Sequence, residues 1–218
     1  MTDARQSFIE WDRGFDFYAP QTFRDGKGRS ILLGWAGMID TYYGNERTVR
    51  RGWQHALTIP RELKLNQEKN IILQNPVKEM EALRKEPWIR EGGGGKIRYI
   101  SLEEGAPAVW EAIIVFSAPK EEKEIIMNGD LAFTFQDSVA SLSFFNGGGE
   151  GRDFRKAHLG ECKEVRILMD SSLIEIYLNG GEMVFTTRYY PGERRKGLEI
   201  VGERESLTIY PWRSFQYE

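Results

Sequence analysis

A chain of 218 residues and 25.2 kDa with 40% hydrophobic and 12% aromatic residues can bury a core as one large or two small domains. Its formal net charge of −3, with acidic and basic residues interspersed, offers no basic patch for nucleic acid or an anionic membrane. The lone Cys162 excludes an intrachain disulfide and a cysteine-based metal site, and no apolar run is long enough to span a bilayer. No metal or cofactor is expected. Met1 to Gln6 carries no apolar leader, so the cytoplasm is the expected location, with the extracellular space as the alternative should the chain be a piece of a longer protein.

In chain order, Asp16, Tyr18 and Gln21 stand beside Pro20, which favours a strand end or bulge. Ser30 to Ala36 is a short apolar strand closed by Gly37, with Trp35 near its end. Asn75 as cap, Pro76 at the first helical position, and Val77, Met80 and Leu83 at helical spacing predict one short helix stopped by Pro87. Gly92 to Gly95 and Gly147 to Gly149 read as loops. Ala108 to Ser117 is apolar on both faces apart from Glu111, the pattern of a central strand. Leu131, Phe133 and Phe135 alternate with Ala132 and Thr134, and Ile174, Ile176 and Leu178 alternate with Glu175 and Tyr177. Asn179-Gly180-Gly181 then turns a hairpin into Glu182 to Thr187, while Asp137-Ser138 and Asp170 to Ser172 read as turns.

Three blocks are more specific: Gly14-Phe15-Asp16-Phe17-Tyr18-Ala19-Pro20-Gln21-Thr22-Phe23, then Arg29 to Trp35, then Gly52-Trp53-Gln54-His55-Ala56-Leu57-Thr58-Ile59-Pro60-Arg61-Glu62. In that order they resemble the end of the catalytic domain of glycoside hydrolase family 32, the invertases, sucrose-6-phosphate hydrolases and fructan β-fructosidases. Leu168 to Pro191 is similar to the C-terminal module of the same family. The resemblance implies an all-β chain: the last blade of a five-bladed β-propeller followed by a C-terminal β-sandwich. The expected division is a blade remnant over 1–65, a linker with the short helix over 66–88, and the sandwich over 89–218. The sandwich should fold without the first 65 residues.

The family's nucleophile, Arg-Asp-Pro and Glu-Cys blocks lie upstream of the tyrosine-containing segment, and Met1 to Asp12 holds none of them. No catalytic residue is therefore assigned, and the isolated chain is expected to be inactive toward β-fructosidic bonds in sucrose, sucrose 6-phosphate or fructans. A carboxylate pair drawn from Asp12, Asp16 and Asp40 is the alternative that would overturn this expectation. Trp35 resembles the aromatic lining the fructose pocket, and Asp16, Tyr18 and Gln21 are its expected companions in binding substrate. His55 is expected as a packed strand residue. A blade carrying Phe15, Phe17, Phe23, Trp35, Trp53 and Leu57 needs cover from its own sandwich, a second copy, or a complementing N-terminal propeller segment, and self-association is the favoured outcome. The other function class is a non-catalytic carbohydrate-binding or assembly sandwich that would use exposed aromatics such as Tyr189 and Tyr190.

Overall fold

The computed structural model describes residues 9–39, 43, 45–102, 107–191 and 197–213, and their regular secondary structure is almost entirely strand. β1 (Tyr18–Arg24), β2 (Ser30–Trp35), β3 (Arg61–Asn66) and β4 (Ile71–Pro76) form an antiparallel meander in the order β1-β2-β3-β4, the form of a single propeller blade. Ile31 and Leu32 of β2 are buried, as the apolar run requires of a strand inside the sheet.

β4 falls within the segment expected to be linker, so the blade extends to residue 76 rather than 65. Pro76 closes the ladder opposite Arg61 instead of opening a helix. Asn75 does not cap, because its side-chain amide donates to the Gly180 carbonyl at 2.6 Å. The helix is a 3₁₀ helix over Lys78–Leu83, begun from an extended Val77. The physical reason lies in the spacing. Val77, Met80 and Leu83 repeat every three residues, which stacks them on one face at three residues per turn.

The remaining strands are β5 (Ile89–Gly92), β6 (Ile97–Ser101), β7 (Trp110–Phe116), β8 (Lys123–Met127), β9 (Leu131–Gln136), β10 (Val139–Phe144), β11 (Phe154–His158), β12 (Glu164–Met169), β13 (Leu173–Leu178), β14 (Met183–Arg188), β15 (Gly197–Val201) and β16 (Arg204–Pro211). They build two six-stranded antiparallel sheets, β11-β10-β9-β8-β15-β6 and β14-β13-β12-β7-β16-β5. Phe133, Phe135, Leu142 and Ile125 from the first meet Ile114, Ile167, Ile176 and Phe185 from the second in one apolar cluster. The Asp137-Ser138 loop has φ of 50° and 61°, the left-handed pair that a two-residue hairpin needs. Asn179 to Glu182 likewise turns β13 into β14.

β7 is central, as its two-sided apolarity predicts, and its exception is satisfied in place. Glu111 is fully buried and receives Arg84 Nε at 2.6 Å and Arg166 Nε at 2.5 Å. Burial alone would push its pKa up, but the two guanidinium groups more than offset this and hold it below the ordinary carboxylate value.

Every residue of β13 is buried. Ile174, Ile176 and Leu178 face the sandwich interior, and Leu173, Glu175 and Tyr177 lie on the other face, against the blade. The polar half of the alternation is therefore a docking face rather than a solvated one. Phe15 and Phe17 are half-buried by this docking, while Phe23, Trp53 and Leu57 stay exposed at 51%, 38% and 63%.

Candidate functional site

The blade presents an aromatic corner where β1 begins and β2 ends. Tyr18 pairs with Trp35, and the register then shifts before Gln21 pairs with Leu33, so the bulge expected beside Pro20 is present. Ala19 takes the left-handed conformation there, at φ 46°. The Trp35 indole is held edge-on by Tyr18, with ring centroids 6.1 Å apart, and by His55 at 5.0 Å. Gly37 is required beneath it, because a Cβ at that position would lie 2.8 Å from the ring. Trp35 is half-buried, and Tyr18 and His55 are exposed. His55 is thus a loop residue set edge-on against the corner, not a packed strand residue. Aromatic surface of this kind suits the C–H faces of a sugar ring.

Beside the corner lies a cavity of about 530 Å³ lined by Trp11, Phe15, Phe17, Tyr18, Pro20 and Met38, with Glu10 and Arg155 as its charged wall. Glu10 accepts from Arg13 at 2.8 Å and from Arg155 at 3.0 Å. Burial raises its pKa, the two arginine hydrogen bonds outweigh that, and the net shift is downward. Such a carboxylate stays ionised near neutral pH and cannot act as a proton donor.

Asp16 does not join the corner. It is wholly buried, and one carboxylate oxygen accepts from Arg152 Nη1 at 2.9 Å, Thr187 Oγ1 at 2.9 Å and the Arg188 amide at 2.8 Å. Its other oxygen receives the Tyr43 hydroxyl. Asp12 accepts from the Thr186 amide at 2.8 Å and from Arg61 Nη1 at 3.0 Å. Between them the Arg13 amide reaches the Val184 carbonyl at 2.8 Å and the Asp16 amide the Thr186 carbonyl at 3.1 Å. Residues 12–16 therefore lie along the open side of β14 and satisfy it with alternate carboxylates and amides. Gly14 makes this approach feasible, since a Cβ there would fall 1.9 Å from the Thr186 carbonyl.

Neither aspartate is free to attack or protonate a glycoside, and Asp40 lies outside the described residues. Gln21 is exposed on β1 opposite Leu33, beyond the bulge. Cys162 is an inert thiol, its pKa pushed up to about 12 by burial, which outweighs the pull of Lys123. Tyr189 is fully buried, its hydroxyl bonded to Asp130 and to Asn128 at 3.0 Å, so the exposed tyrosine pair expected of a lectin-like face is not present.

The sequence reading missed the arginines between blade and sandwich. Arg61 is completely buried and donates to Glu175 at 2.7 Å, Asp12 at 3.0 Å, Thr186 at 2.6 Å and Gln74 at 3.1 Å. Burial would lower its pKa, but the surrounding Tyr177, Glu175 and Asp12 raise it on balance. Arg152 and Arg188 are buried beside Asp16 and Tyr190. A signal existed in Glu175, a charged position inside the apolar strand β13.

A four-stranded blade docked by a polar seam on a two-sheet sandwich is the arrangement of a propeller-and-sandwich protein. Residues 1–76 match the glycosyl hydrolases family 32 N-terminal domain and residues 128–216 the glycosyl hydrolases family 32 C-terminal domain, and the chain belongs to that family. It is 32% identical over 210 residues to the sucrose-6-phosphate hydrolase of Bacillus subtilis, covering 94% of this chain and 43% of that protein. The Staphylococcus xylosus sucrose-6-phosphate hydrolase is 30% identical over 221 residues, covering 93% and 42%. Among solved structures, the sucrose-6-phosphate hydrolase of Lactobacillus gasseri superposes with a TM-score of 0.77 at 20% identity, over 94% of this chain and 43% of that one. A β-fructofuranosidase of Bombyx mori gives 0.72 at 24% identity, over 95% and 42%. The chain thus spans less than half the length of these relatives.

Proposed function

We propose that this chain is the final-blade and sandwich part of a β-fructofuranosidase-like glycoside hydrolase acting on sucrose, sucrose 6-phosphate or fructans. In this reading Trp35 and Tyr18 form one wall of the fructosyl pocket and Gln21 stands at its margin. The observation that carries it is the aromatic corner, held by the register of β1 and β2 and left open to solvent.

Retaining hydrolysis of a fructoside needs a nucleophilic carboxylate and a protonated acid on opposite sides of the bond. Asp12 and Asp16 are spent on β14, and Glu10 is held ionised by two arginines. The chain on its own is therefore inactive, and hydrolysis requires a propeller segment that supplies both groups. The open edge of β1, with Phe23 exposed, suits either that segment or a second copy of this chain.

The test is release of fructose from sucrose and sucrose 6-phosphate by the purified chain, alone and mixed with an N-terminal propeller fragment of a family relative. No release alone, release on mixing, and loss of that release in Trp35→Ala support the proposal. Fructose release by the chain alone, abolished in Glu10→Gln, would overturn it. Sedimentation at micromolar concentration, with and without the fragment, distinguishes self-association from complementation.

A further inference from the structure

The connection from β2 to β3 is held from two sides, and the two grips meet at His55. Ala56, Leu57 and Thr58 belong to the blade: the Ala36 amide donates to the Ala56 carbonyl at 2.9 Å, the Thr58 amide donates to the Gly34 carbonyl at 2.9 Å, and Leu57 bridges to Trp35. The stretch before His55 is held by the sandwich, through Arg188 at the end of β14. One guanidinium nitrogen donates to the Gln54 carbonyl at 3.0 Å and another to Thr48 Oγ1 at 3.3 Å. Thr48 can accept there because its own hydroxyl hydrogen goes to the Asn45 carbonyl at 3.0 Å.

Arg188 thus ties both ends of one turn to the sandwich. Within that turn the Trp53 amide closes on the Thr48 carbonyl at 3.1 Å, and the Trp53 ring lies 5.7 Å from the Arg188 guanidinium. Arg188 is itself fixed: it is buried, its strand is paired along its length with β13, and the Tyr190 hydroxyl is a further acceptor. A guanidinium presents its donors in a rigid fork, so one side chain can set two acceptors at a defined separation. The residue that follows Gln54 is His55, whose ring meets the Trp35 indole edge-on at 5.0 Å.

We infer that Arg188 is a positioning residue for the aromatic corner: by holding the Gln54 carbonyl it sets the His55 ring against Trp35, so that a residue of the sandwich determines the shape of a wall built by the blade. His55 has a backbone anchor on each side, Gln54 to the sandwich and Ala56 to β2. Releasing the first leaves the second as a pivot, and the imidazole swings away from the indole. The wall meets the sugar ring in the ground state and the transition state alike, so its displacement weakens binding without removing a group from the chemistry. That the wall receives a fructosyl ring rests on the function proposed above; that Arg188 places His55 rests on these bonds alone.

The test is a double-mutant cycle between Arg188→Gln and His55→Ala in the full ¹⁵N-labelled chain, read at the Trp35 indole resonance, which is assigned through Trp35→Phe. Each single variant should move that resonance, and Arg188→Gln should move it no further once His55 is replaced. An unmoved resonance in Arg188→Gln, or the same displacement with and without His55, overturns the positioning role. Should Arg188→Gln fail to fold, Arg188→Lys takes its place in the cycle, since it keeps the charge and the aliphatic stem but lacks the fork that spans Thr48 and Gln54. On complementation with the propeller fragment, Arg188→Gln should raise KM for sucrose about tenfold at unchanged kcat; a fall in kcat at unchanged KM overturns the role in binding. A displaced Trp35 in a chain that releases no fructose on complementation leaves the positioning role standing and fells the fructosidase reading. Complemented release that Arg188→Gln leaves unchanged, with Trp35 unmoved, does the reverse.

Discussion

The interior of the sandwich and the seam beneath the blade are both buried, yet they are made of opposite materials. Between the two sheets lie Phe133, Phe135, Leu142, Ile174 and Ile176, whose attraction is non-directional and scales with the area removed from water. Between the sandwich and the blade lie Arg61, Asp12, Glu175, Thr186 and Tyr177, whose bonds have fixed directions and whose desolvation consumes most of the gain. The core supplies stability, and the seam supplies a single orientation of blade on sandwich. β13 carries both roles, one on each face.

The comparison breaks most visibly at Arg61. Arg61→Ala leaves Asp12 and Glu175 buried without a counterion and should cost about 3–5 kcal/mol in urea unfolding; a loss under about 1 kcal/mol would mean the seam is solvated and does not fix the blade. Leu142→Ala, a cavity in the apolar core, should cost about 3 kcal/mol. The two differ in kind: the core variant should keep the Tyr18 and Trp35 resonances in place, and the Arg61 variant should shift them.

A pH series sharpens the contrast. Glu111 has a folded pKa below its unfolded value, so the stability it contributes is present above the ordinary carboxylate pKa of 4.5 and is lost as pH falls through the lower folded value. Acid unfolding monitored by circular dichroism should therefore be less steep in Glu111→Gln than in the parent, and identical slopes would remove the Arg84–Glu111–Arg166 cluster from the account. Trp35→Ala, at the open corner, should change stability by about 1 kcal/mol or less. At the smallest end is Glu79, which pairs with Lys27 and Arg29 in open solvent and has its pKa lowered to about 2, chiefly by Arg29. Glu79→Ala should leave the urea midpoint where it was.

The apolar strands were legible in the sequence because their periodicity is local: Leu131 to Phe135, Ile174 to Leu178 and the two-sided Ala108 to Ser117 each point to their place in a sheet. What stayed illegible depends on partners distant in the chain. Asp16 beside an aromatic pair reads as a binding residue until β14 is set against it, 171 residues away at Thr187. Glu175 reads as a solvated position until Arg61 covers it. The helix misread at Asn75 has the same cause, since the asparagine's amide is taken by Gly180, a residue of the β13–β14 turn. At the corner, Trp35 and Tyr18 were within reach of sequence because they face each other across one tight meander, whereas Arg188, which bonds the Gln54 carbonyl next to His55, comes from the other domain.

The five residues from Asp12 to Asp16 also act as a guard. β14 ends its sheet, and a strand edge of free amides and carbonyls invites another chain to add itself. Here that edge is occupied from within. A fragment trimmed at residue 88 would retain the whole apolar interior and fold, but it would do so with β14 bare. Its failure would show not as unfolding but as clouding on storage, folded molecules joining edge to edge, and adding back a peptide of residues 9–17 would keep the solution clear.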